Sequence, residues 1–345
     1  MKKRTSLKDI ATRVGVSTAL VSYVLNNQKE DRISKEVAAR IKAVAKELNY
    51  RTNQIAKGLK TSKTFTIGLI VADISNSFSA SLARIIEDEA DKNGYTVLFG
   101  SSDENDIKLR KLVHEMINRG VDGLILAPTE NAIELLLELK ETEVPFVLLD
   151  RYFPQFRSSY VALDNFQAGY MATEHAIESG GKRIGMINFR STHFHLEERT
   201  RGWLSALREH KIPGGKKQLR LVREHHLESE VQKTVNSLLS QQEPVDTLLL
   251  ASNMIAIHAL RYIIEKRLKV PKDIAIIVID ETEAFEFFYA PLTFIRQPLQ
   301  EMGQTATRIL LDNISHNKAV SQVNLSPELV VKKSSLHHYS SPLKR

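Results

Sequence analysis

The sequence contains no cysteine, which excludes disulfide bonds and metal sites built from thiolates. No apolar run approaches the roughly eighteen residues that a membrane-spanning helix needs, and no apolar segment follows the basic residues at the start. We therefore expect neither a membrane span nor a signal peptide, and the missing cysteines suit a cytoplasmic location. Internal repeats and low-complexity tracts are also missing.

Motifs that would indicate catalysis are missing as well. No GxGxxG sequence follows a predicted strand, no GxSxG elbow occurs, and SGGK at residues 179–182 lacks the spacing of a phosphate-binding loop. His193 and His195 are two residues apart, but no HExxH motif accompanies them. The sequence thus predicts no catalytic residue, no cofactor and no enzymatic activity. A metal site at the two histidines is the weaker alternative to a hydrogen-bonding role.

Charge is distributed unevenly along the chain, whose length predicts two or three domains. Residues 1–63 contain 15 Lys and Arg against 5 Asp and Glu, a net charge of +10. The other 282 residues contain 33 basic and 36 acidic side chains, a net charge of −3. A positive excess confined to the first fifth of the chain is typical of binding to a polyphosphate. Membrane lipid is the competing polyanion, but the segment is not a Trp- and Phe-rich amphipathic helix.

Residues 6–26, SLKDIATRVGVSTALVSYVLN, contain two helix starts and one break. Ser6 and Asp9 have the spacing of an N-cap and its partner, and apolar residues then recur at helical intervals. Gly15 predicts the end of this helix, and Ser17 predicts the cap of a second one. Two such helices are typical of the helix-turn-helix unit, whose second helix enters the DNA major groove. An ordinary helical hairpin is the alternative.

A third helix and a linker follow this pair. Ser34 predicts the start of a helix with apolar residues at three- and four-residue steps. Residues 51–63, RTNQIAKGLKTSK, have a helical pattern too short to be stable alone, so we expect coil when free and helix when held. A plain flexible linker is the alternative. We predict a small all-α DNA-binding headpiece at residues 1–50 and a hinge at residues 51–64.

From Thr66 onward, short apolar runs alternate with amphipathic helical segments. The runs lie at 66–72, 95–101, 122–127 and 145–149, and then at 183–188, 218–222, 246–251 and 274–279. This alternation predicts α/β architecture with two doubly wound parallel-sheet subdomains. Ligands bind such sheets at the carboxyl ends of the strands, so we expect a binding cleft between the subdomains.

Polar and aromatic residues follow several predicted strands. They are Asp73, Asn76 and Phe78, then Asp150 and Arg151, residues 190–199, Ser252 and Asn253, and finally Asp280 and Glu281. Such groups suit a small polyhydroxylated ligand, because polar groups pair with hydroxyls and a ring stacks on the C–H face. Each residue alone could equally be a helix cap or part of a loop ion pair. Their convergence on one edge is what predicts a site.

Over nearly its whole length the sequence resembles the LacI/GalR family of bacterial transcriptional regulators. The opening pattern of that family is present as LKDIATRVGVSTALVSYVLN, and its hinge as NQIAKGLK. Its body is present as IGLIVADISNSF, LLDR, RTRGW, VPKDIAIIVIDE and APLTFIRQPLQEMGQTA. The resemblance implies a body of the type I periplasmic-binding-protein-like fold, binding an effector at residues 65–345.

The topology of the family also implies where the chain passes between the two subdomains. The N-subdomain would contain about 65–162 and 293–321, and the C-subdomain about 163–292 and 322–345. The crossings would then lie near residues 161–164, 291–294 and 320–323 and serve as the hinge for closure.

The resemblance also implies which residues contact DNA. They are Ser6, Ser17, Thr18, Ala19, Ser22, Tyr23 and Asn26 in the headpiece, with Asn53, Ala56, Lys57 and Leu59 in the hinge. Leu59 matches the wedge that opens a central minor-groove step. The family usually has Arg at position 23, and Tyr23 cannot read guanine bidentately, so the operator sequence stays open.

The same comparison implies an effector site. Its residues are Asp73, Phe78, Ser79, Asp150, Arg190, His193, Arg199, Ser252 and Asp280. Ser252-Asn253 replaces the usual Asn-Asp pair, which leaves the identity of the sugar open. Trp203 is expected in the core rather than at the ligand.

The implied function is transcriptional regulation by a repressor. A homodimer, or a tetramer built from two dimers, would bind a pseudo-palindromic operator on the nucleoid. A small effector, a sugar or sugar derivative, would change DNA affinity from the cleft. The tail after Leu336 lacks the heptads of a tetramerising zipper, which favours a dimer. A nucleobase or a phosphorylated partner protein is the alternative effector, and a plain sugar-binding module is the alternative function. Whether the effector induces or corepresses stays open.

Overall fold

The structure is a computed structural model that describes residues 5–26, 32–50, 63–315 and 319–336. The chain divides into two compact units, residues 1–64 and residues 65–345. No helix in these described ranges is long and apolar enough to cross a membrane.

The first unit contains three short helices, whose bounds follow from local capping signals. They are α1 (Leu7–Val14), α2 (Thr18–Leu25) and α3 (Lys35–Glu47). Ser6 and Asp9 form a reciprocal capping box at the start of α1. Gly15 ends α1 with φ +78°, a backbone conformation that suits glycine. Ser17 and Ser34 cap the next two helices through their hydroxyls, so the predicted helix starts are confirmed.

The core of the first unit is small and apolar. Ile10, Val21 and Ile41 are fully buried, one from each helix. They are surrounded by further buried residues of the three helices. Because each helix contributes only one apolar stripe, the opposite face of α2 stays available to a partner.

The second unit consists of two α/β halves, each with a six-stranded sheet. The strands are β1 (Thr66–Val71), β2 (Thr96–Ser101), β3 (Gly123–Leu126), β4 (Phe146–Leu149), β5 (Ser159–Leu163), β6 (Ile184–Phe189), β7 (Leu219–Val222), β8 (Thr247–Leu250), β9 (Ala275–Ile279), β10 (Thr293–Arg296), β11 (Gln322–Leu325) and β12 (Glu328–Val330). The helices are α4 (Ser77–Lys92), α5 (Asp106–Asn118), α6 (Ile133–Glu141), α7 (Asn165–Glu178), α8 (Phe194–Glu209), α9 (Leu227–Leu239), α10 (Asn253–Glu265) and α11 (Leu299–Ile314).

The two sheets have equivalent strand orders. The order is β11-β5-β4-β3-β1-β2 in the first half and β12-β10-β9-β8-β6-β7 in the second. All pairings are parallel except that of β12 with β10. Apolar clusters lie on both faces of each sheet, as expected for strands covered by helices on two sides. The predicted fold class is thereby confirmed.

Four strands were not predicted from apolar runs: β5, β10, β11 and β12. The last two are edge strands, and Gln322–Leu325 alternates exposed and half-buried positions before its last residue. Edge strands need only one apolar face, so they do not produce the continuous apolar run of a buried strand.

Two of the predicted crossing points are wrong by a few residues. Thr293–Arg296 pairs with β9 in the second sheet, so the chain crosses at residues 297–298 rather than 291–294. Gln322–Leu325 pairs with β5 in the first sheet, so the last crossing lies at residues 326–327 rather than 320–323. The ranges predicted for the two subdomains are wrong by the same two strands. In both cases the backbone hydrogen bonds of a strand decide which half it belongs to.

Candidate functional site

One face of α2 is the candidate nucleic-acid interface. Val21 and Val24 of this helix are buried, whereas Thr18 and Ala19 are exposed and Tyr23 is half-buried. The sequence of α2, TALVSYVL, contains no charged residue. Hydroxyl, methyl and phenol groups are therefore what this helix can present to base edges, and any charged contact to phosphate would have to come from residues outside it.

The remaining predicted headpiece residues occupy helix ends. Ser17 is an exposed N-cap, and the helix dipole at such a position favours a phosphate. Ser6 is also an exposed N-cap, but its N–H and its hydroxyl both donate to the Asp9 carboxylate. Asn26 ends α2 and donates from Nδ2 to the carbonyl oxygen of Ser22 over 2.8 Å. The predicted hinge residues Asn53, Ala56, Lys57 and Leu59 lie outside the described residues.

The second candidate site is a cleft between the two halves of the second unit. A cavity of about 690 Å³ opens at the carboxyl ends of the strands, where parallel sheets bind ligands. The nine predicted effector residues all line it: Asp73, Phe78, Ser79, Asp150, Arg190, His193, Arg199, Ser252 and Asp280. Residues far apart in sequence are thus brought to one cavity.

Two buried aspartates lie at equivalent points of the two sheets. Asp150 follows β4 with φ +67°, and Asp280 follows β9 with φ +89°. Burial raises the pKa of both carboxyls, that of Asp280 to about 7. Opposing this, the backbone N–H of Glu281 donates to Asp280 Oδ1 over 2.9 Å, and the positive charge of Arg199 favours both carboxylates.

Arg199 is held in a fixed position by two hydrogen bonds. Its Nε donates to Asn165 Oδ1 over 2.7 Å, and its Nη1 donates to the carbonyl oxygen of Ala251 over 2.6 Å. The side chain is buried, and these bonds leave the second terminal nitrogen, Nη2, without a hydrogen-bond partner among the described residues. A guanidinium held in this way can donate to a ligand without losing side-chain freedom on binding.

Glycines allow helix α8, which carries Arg199, to lie very close to α7. A Cβ atom added at Gly202 would lie 2.1 Å from the carbonyl oxygen of Phe166, and one at Gly169 would lie 2.1 Å from that of Arg199. Both obstacles are backbone atoms, so no side-chain rotation would relieve the contact. The position of Arg199 therefore depends on two residues that have no side chain.

Arg151 forms the second charged cluster of the cavity. Its two terminal nitrogens donate to the carboxylate of Glu104 over 2.6 and 2.7 Å, which is bidentate geometry. Nη1 also lies 3.1 Å from His193 Nε2. Arginine has no acceptor, so this histidine nitrogen must be unprotonated. Burial and the charge of Arg151 agree with this, because they lower the pKa of His193 to about 3.

Polar side chains connect the two halves across the cleft. Asn253 Nδ2 donates to Asn76 Oδ1 over 3.0 Å, and Arg151 Nη1 donates to His193 Nε2. Glu130 Oε1 accepts from the backbone N–H of Thr192 over 2.9 Å and from the Ser191 hydroxyl. These contacts hold the two walls of the cavity together and would be broken on opening.

Several buried polar atoms that belong to cavity-lining residues lack a hydrogen-bond partner. Within the described residues they are Asp150 Oδ1, Arg151 Nε, His195 Nδ1, His258 Nδ1 and Gln297 Oε1. An unsatisfied buried polar group costs about 1–3 kcal/mol, so a ligand or water that supplies partners is favoured. The cavity thus presents both donors and acceptors to an occupant.

Sequence reasoning missed Glu104, Glu130, Gln297 and Glu224, which also line the cavity. Glu130 and Glu224 directly follow predicted strands or their turns, so the rule of reading strand ends would have found them. Two predicted residues are engaged locally instead. The carboxylate of Asp73 accepts from the N–H and the hydroxyl of Ser75, and the Ser252 hydroxyl caps α10.

Two further expectations concern Trp203 and metal binding. Trp203 is fully buried in the core of the second half, as predicted. Among the residues that the structure describes, no group of three or more His, Cys, Asp or Glu side chains is arranged to hold a metal ion. His193 Nε2 accepts from Arg151 Nη1, and both histidines line the cavity.

Comparison with sequence families divides the chain in the same way. Residues 6–53 match the profile of bacterial regulatory proteins of the lacI family, and residues 173–335 match that of a periplasmic binding protein-like domain. The probable HTH-type transcriptional regulator EndR of Paenibacillus polymyxa is 31% identical over 347 residues, covering 99% of both chains. The HTH-type transcriptional repressor PurR of Aliivibrio salmonicida is 32% identical over 95% of this chain and 98% of its own.

Solved structures resemble the chain over nearly its whole length. The lac repressor dimer bound to operator and the anti-inducer ONPF matches with a TM-score of 0.83 at 23% identity, covering 97% of this chain and 100% of its own. The complex of the transcriptional regulator CelR with cellobiose matches with a TM-score of 0.72 at 25% identity, covering 96% and 100%. The first of these likenesses concerns the fold alone.

A helix-turn-helix headpiece followed by a two-lobed ligand-binding body defines a DNA-binding transcriptional regulator with a small-molecule site. The chain belongs to the LacI family of bacterial regulatory proteins. Its relatives are transcriptional regulators and not enzymes, which confirms the prediction that no catalytic activity is present.

Proposed function

We propose that the chain is a homodimeric repressor whose operator affinity is controlled by a carbohydrate effector bound in the cleft. Unsatisfied buried groups of the cavity carry the effector part of this proposal, among them Asp150 Oδ1, Arg151 Nε, His195 Nδ1 and Gln297 Oε1. Together with Nη2 of Arg199 they place acceptors and donors on several walls, which suits a ligand with many hydroxyl groups. Hydroxyls act as both donors and acceptors and so satisfy such a mixture.

A carbohydrate suits the cavity better than an anionic metabolite does. Asp150, Asp280 and Glu104 line it, and Arg151 is already paired with Glu104. An additional negative charge would have to compete with these carboxylates. Phe78 is half-buried in the wall and offers a face on which the C–H side of a sugar ring can stack. The CelR structure in complex with cellobiose supports the same class of ligand.

The DNA part of the proposal assigns base contacts to α2. Two copies of α2 would enter successive major grooves, with Thr18 and Ala19 against thymine methyls and Ser22 and Tyr23 at neighbouring positions. Ser6, Ser17 and Asn26 would orient the helices on the phosphates. Asn53, Ala56, Lys57 and Leu59 would contact the minor groove between the half-sites, where a leucine wedge unstacks a base step.

Effector binding would act by changing the closure of the cleft. The contacts Asn76–Asn253, Arg151–His193 and Glu130–Thr192 hold the closed arrangement, and a ligand that bridges the same walls adds to them. A ligand shifts the equilibrium only by its difference in affinity for the two arrangements. Operator affinity then changes because the dimer positions its two headpieces differently in each arrangement.

Selection of bound sequences from random duplex DNA by the full-length protein, at fixed near-physiological salt, tests the regulatory part. We expect enrichment of a pseudo-palindrome and a steep fall of affinity with salt. A Tyr23→Phe variant should change the preference at one position of each half-site only. Salt-sensitive binding without any enriched sequence would contradict a sequence-specific dimer.

A further inference from the structure

The cavity is elongated along the sheets. The ends of four adjacent strands in each sheet line it: β4, β3, β1 and β2 in the first half, and β9, β8, β6 and β7 in the second. Adjacent strands lie about 4.8 Å apart, so the three spacings correspond to roughly 14 Å. From ordinary bond lengths, a pyranose ring spans about 5.5 Å between its O1 and O4 atoms. One ring fills less than half of this length.

Different charged groups surround the two ends of the cavity, although the charge of Glu104 acts on both Asp150 and Glu224. At the β4/β9 end, Asp280 lies within the electrostatic reach of Asp150 and Arg199. At the β2/β7 end, Glu224 lies within reach of Glu104 and Glu130 instead. Arg151 lies between the ends, because its charge acts on both Asp150 and Glu224. A ligand at one end therefore leaves the polar groups of the other end without contact.

The ends also differ in burial, and each has an aromatic ring. Asp150, Arg199 and Asp280 are buried; we call them the inner subsite. Phe78 is assigned to this end, because it lines both this cavity and a neighbouring one that is also lined by Glu281, the residue after Asp280.

The second ring lies at the other end. Phe189 is the last residue of β6, is half-buried, and lines the cavity together with exposed Arg190 and Glu224. We call Phe189, Arg190 and Glu224 the outer subsite. Each subsite thus combines one ring face with charged hydrogen-bonding groups, which is what binding of one sugar ring requires.

We infer that the effector is an oligosaccharide of at least two pyranose rings, one in the inner subsite and the next in the outer subsite. This inference rests on the proposed function, since it specifies the size of the carbohydrate. The inner subsite fixes the orientation of one ring in a buried environment. The outer subsite, which is open to solvent, contributes affinity for the second ring and tolerates further units beyond it.

Native mass spectrometry of the full-length protein tests the inference and does not require the sugar to be identified first. The protein is mixed with hydrolysates of cellulose, xylan, starch, mannan, galactan and chitin, each separated by chain length, and the mass of the bound species gives the number of rings. We expect bound species of two or more rings, with the matching monosaccharide binding at least tenfold more weakly. A monosaccharide that binds as tightly as its oligomers would overturn the inference while leaving the carbohydrate effector intact. If none of these sugars binds, both the oligosaccharide inference and the proposed carbohydrate effector are contradicted.

Substitutions at the two subsites then test where the second sugar ring binds. Arg190→Ala combined with Glu224→Ala should lower the ratio of oligosaccharide to monosaccharide affinity at least fivefold, whereas Asp280→Asn should weaken both ligands. Glu228→Ala is the matched control, since Glu228 is an exposed carboxylate nearby on α9 that does not line the cavity. An unchanged ratio in the double variant would contradict the outer subsite.

Discussion

The two halves of the effector-binding unit have the same strand order but place different chemistry at equivalent strand ends. After β4 the first half has Asp150 followed by Arg151, whereas after β9 the second half has Asp280 followed by Glu281. The cation that faces both aspartates, Arg199, belongs to the second half. The same strand order therefore occurs in both halves, but the two walls of the cavity carry different side chains.

As a result of this asymmetry, the two aspartates have different charged neighbours. Both are buried and have positive φ, but a cation lies immediately beside only one of them: Arg151 Nε is 3.7 Å from Asp150 Oδ2. Asp280 has a backbone N–H and the distant charge of Arg199 as its stabilising partners. Burial raises the pKa of Asp280 to about 7, because these two partners only partly offset the cost of desolvating the carboxylate.

Of the substitutions that test this comparison, Arg199→Met should have the largest effect on stability and on effector binding. The variant leaves two buried carboxyls without their shared cation and leaves Asn165 Oδ1 without its donor. Breaking a buried charged network typically costs about 3–5 kcal/mol. We expect the unfolding free energy to fall by about 3 kcal/mol in urea titrations and effector affinity to fall at least 100-fold by calorimetry. Arg201→Met, an exposed position on the same helix, is the control; equal losses in both variants would contradict a special role of Arg199.

The helix pairs of the two halves provide the second test, through Gly202→Ala and Gly303→Ala. The new Cβ at Gly202 would meet a backbone carbonyl at 2.1 Å, whereas at Gly303 it would meet the side chain of Ile85 at 2.6 Å. A side chain can move and a helix backbone cannot move without its neighbours. We expect losses of about 3 kcal/mol at Gly202 and about 1 kcal/mol at Gly303. Urea titrations of both variants measure these losses of unfolding free energy. A larger loss for Gly303→Ala than for Gly202→Ala would contradict the prediction.

The third test uses pH and the aspartates. Between the ordinary pKa of an unfolded Asp, about 4, and the folded pKa of about 7 for Asp280, the folded chain holds a proton that the unfolded chain has released. Asp280 therefore makes stability fall as pH rises through this window, and its effect is constant above pH 7. Asp280→Asn should remove that part of the slope of unfolding free energy against pH. Asp150→Asn is the comparison, and an unaltered slope in the Asp280 variant would contradict the assignment.

The smallest expected effect concerns a contact between the halves, the hydrogen bond from Asn253 to Asn76. A neutral hydrogen bond contributes about 1 kcal/mol. Asn76→Ala and Asn253→Ala should each weaken effector binding about fivefold, since this corresponds to about 1 kcal/mol. The double variant should be little worse than either single one. Fully additive losses in calorimetric titrations would show that the two amides act independently.

Local signals predicted the headpiece well. Ser6, Gly15, Ser17 and Ser34 act on neighbouring backbone groups, so their effect can be read without knowing the tertiary structure. Most buried central strands were equally accessible, because burial on both faces leaves a continuous apolar run, but the buried strand β5 was missed. Edge strands such as Gln322–Leu325 have no such run, and their pairing depends on residues more than a hundred positions away.

The cavity was predicted only in part for a similar reason. Residues at strand ends, such as Asp150 and Asp280, follow from the rule that ligands bind where parallel strands end. The pairing of Arg151 with Glu104, 47 residues apart, arises from the packing of two loops and leaves no local pattern. Gln297 likewise enters the wall because the chain crosses there, a few residues later than the sequence indicated.

The close contact between α7 and α8 at their glycines joins Arg199 to the first crossing between the two halves, which we propose as the pivot of the cleft. Asn165, which holds Arg199 Nε, is the second residue after β5, at the first point where the chain passes between the halves. With backbones touching at Gly169 and Gly202, no compliant side-chain layer separates that pivot from the guanidinium. If the effector contacts Arg199, as proposed above, a ligand that shifts this side chain should also move the pivot. The shape of the ligand would then set the angle between the two halves.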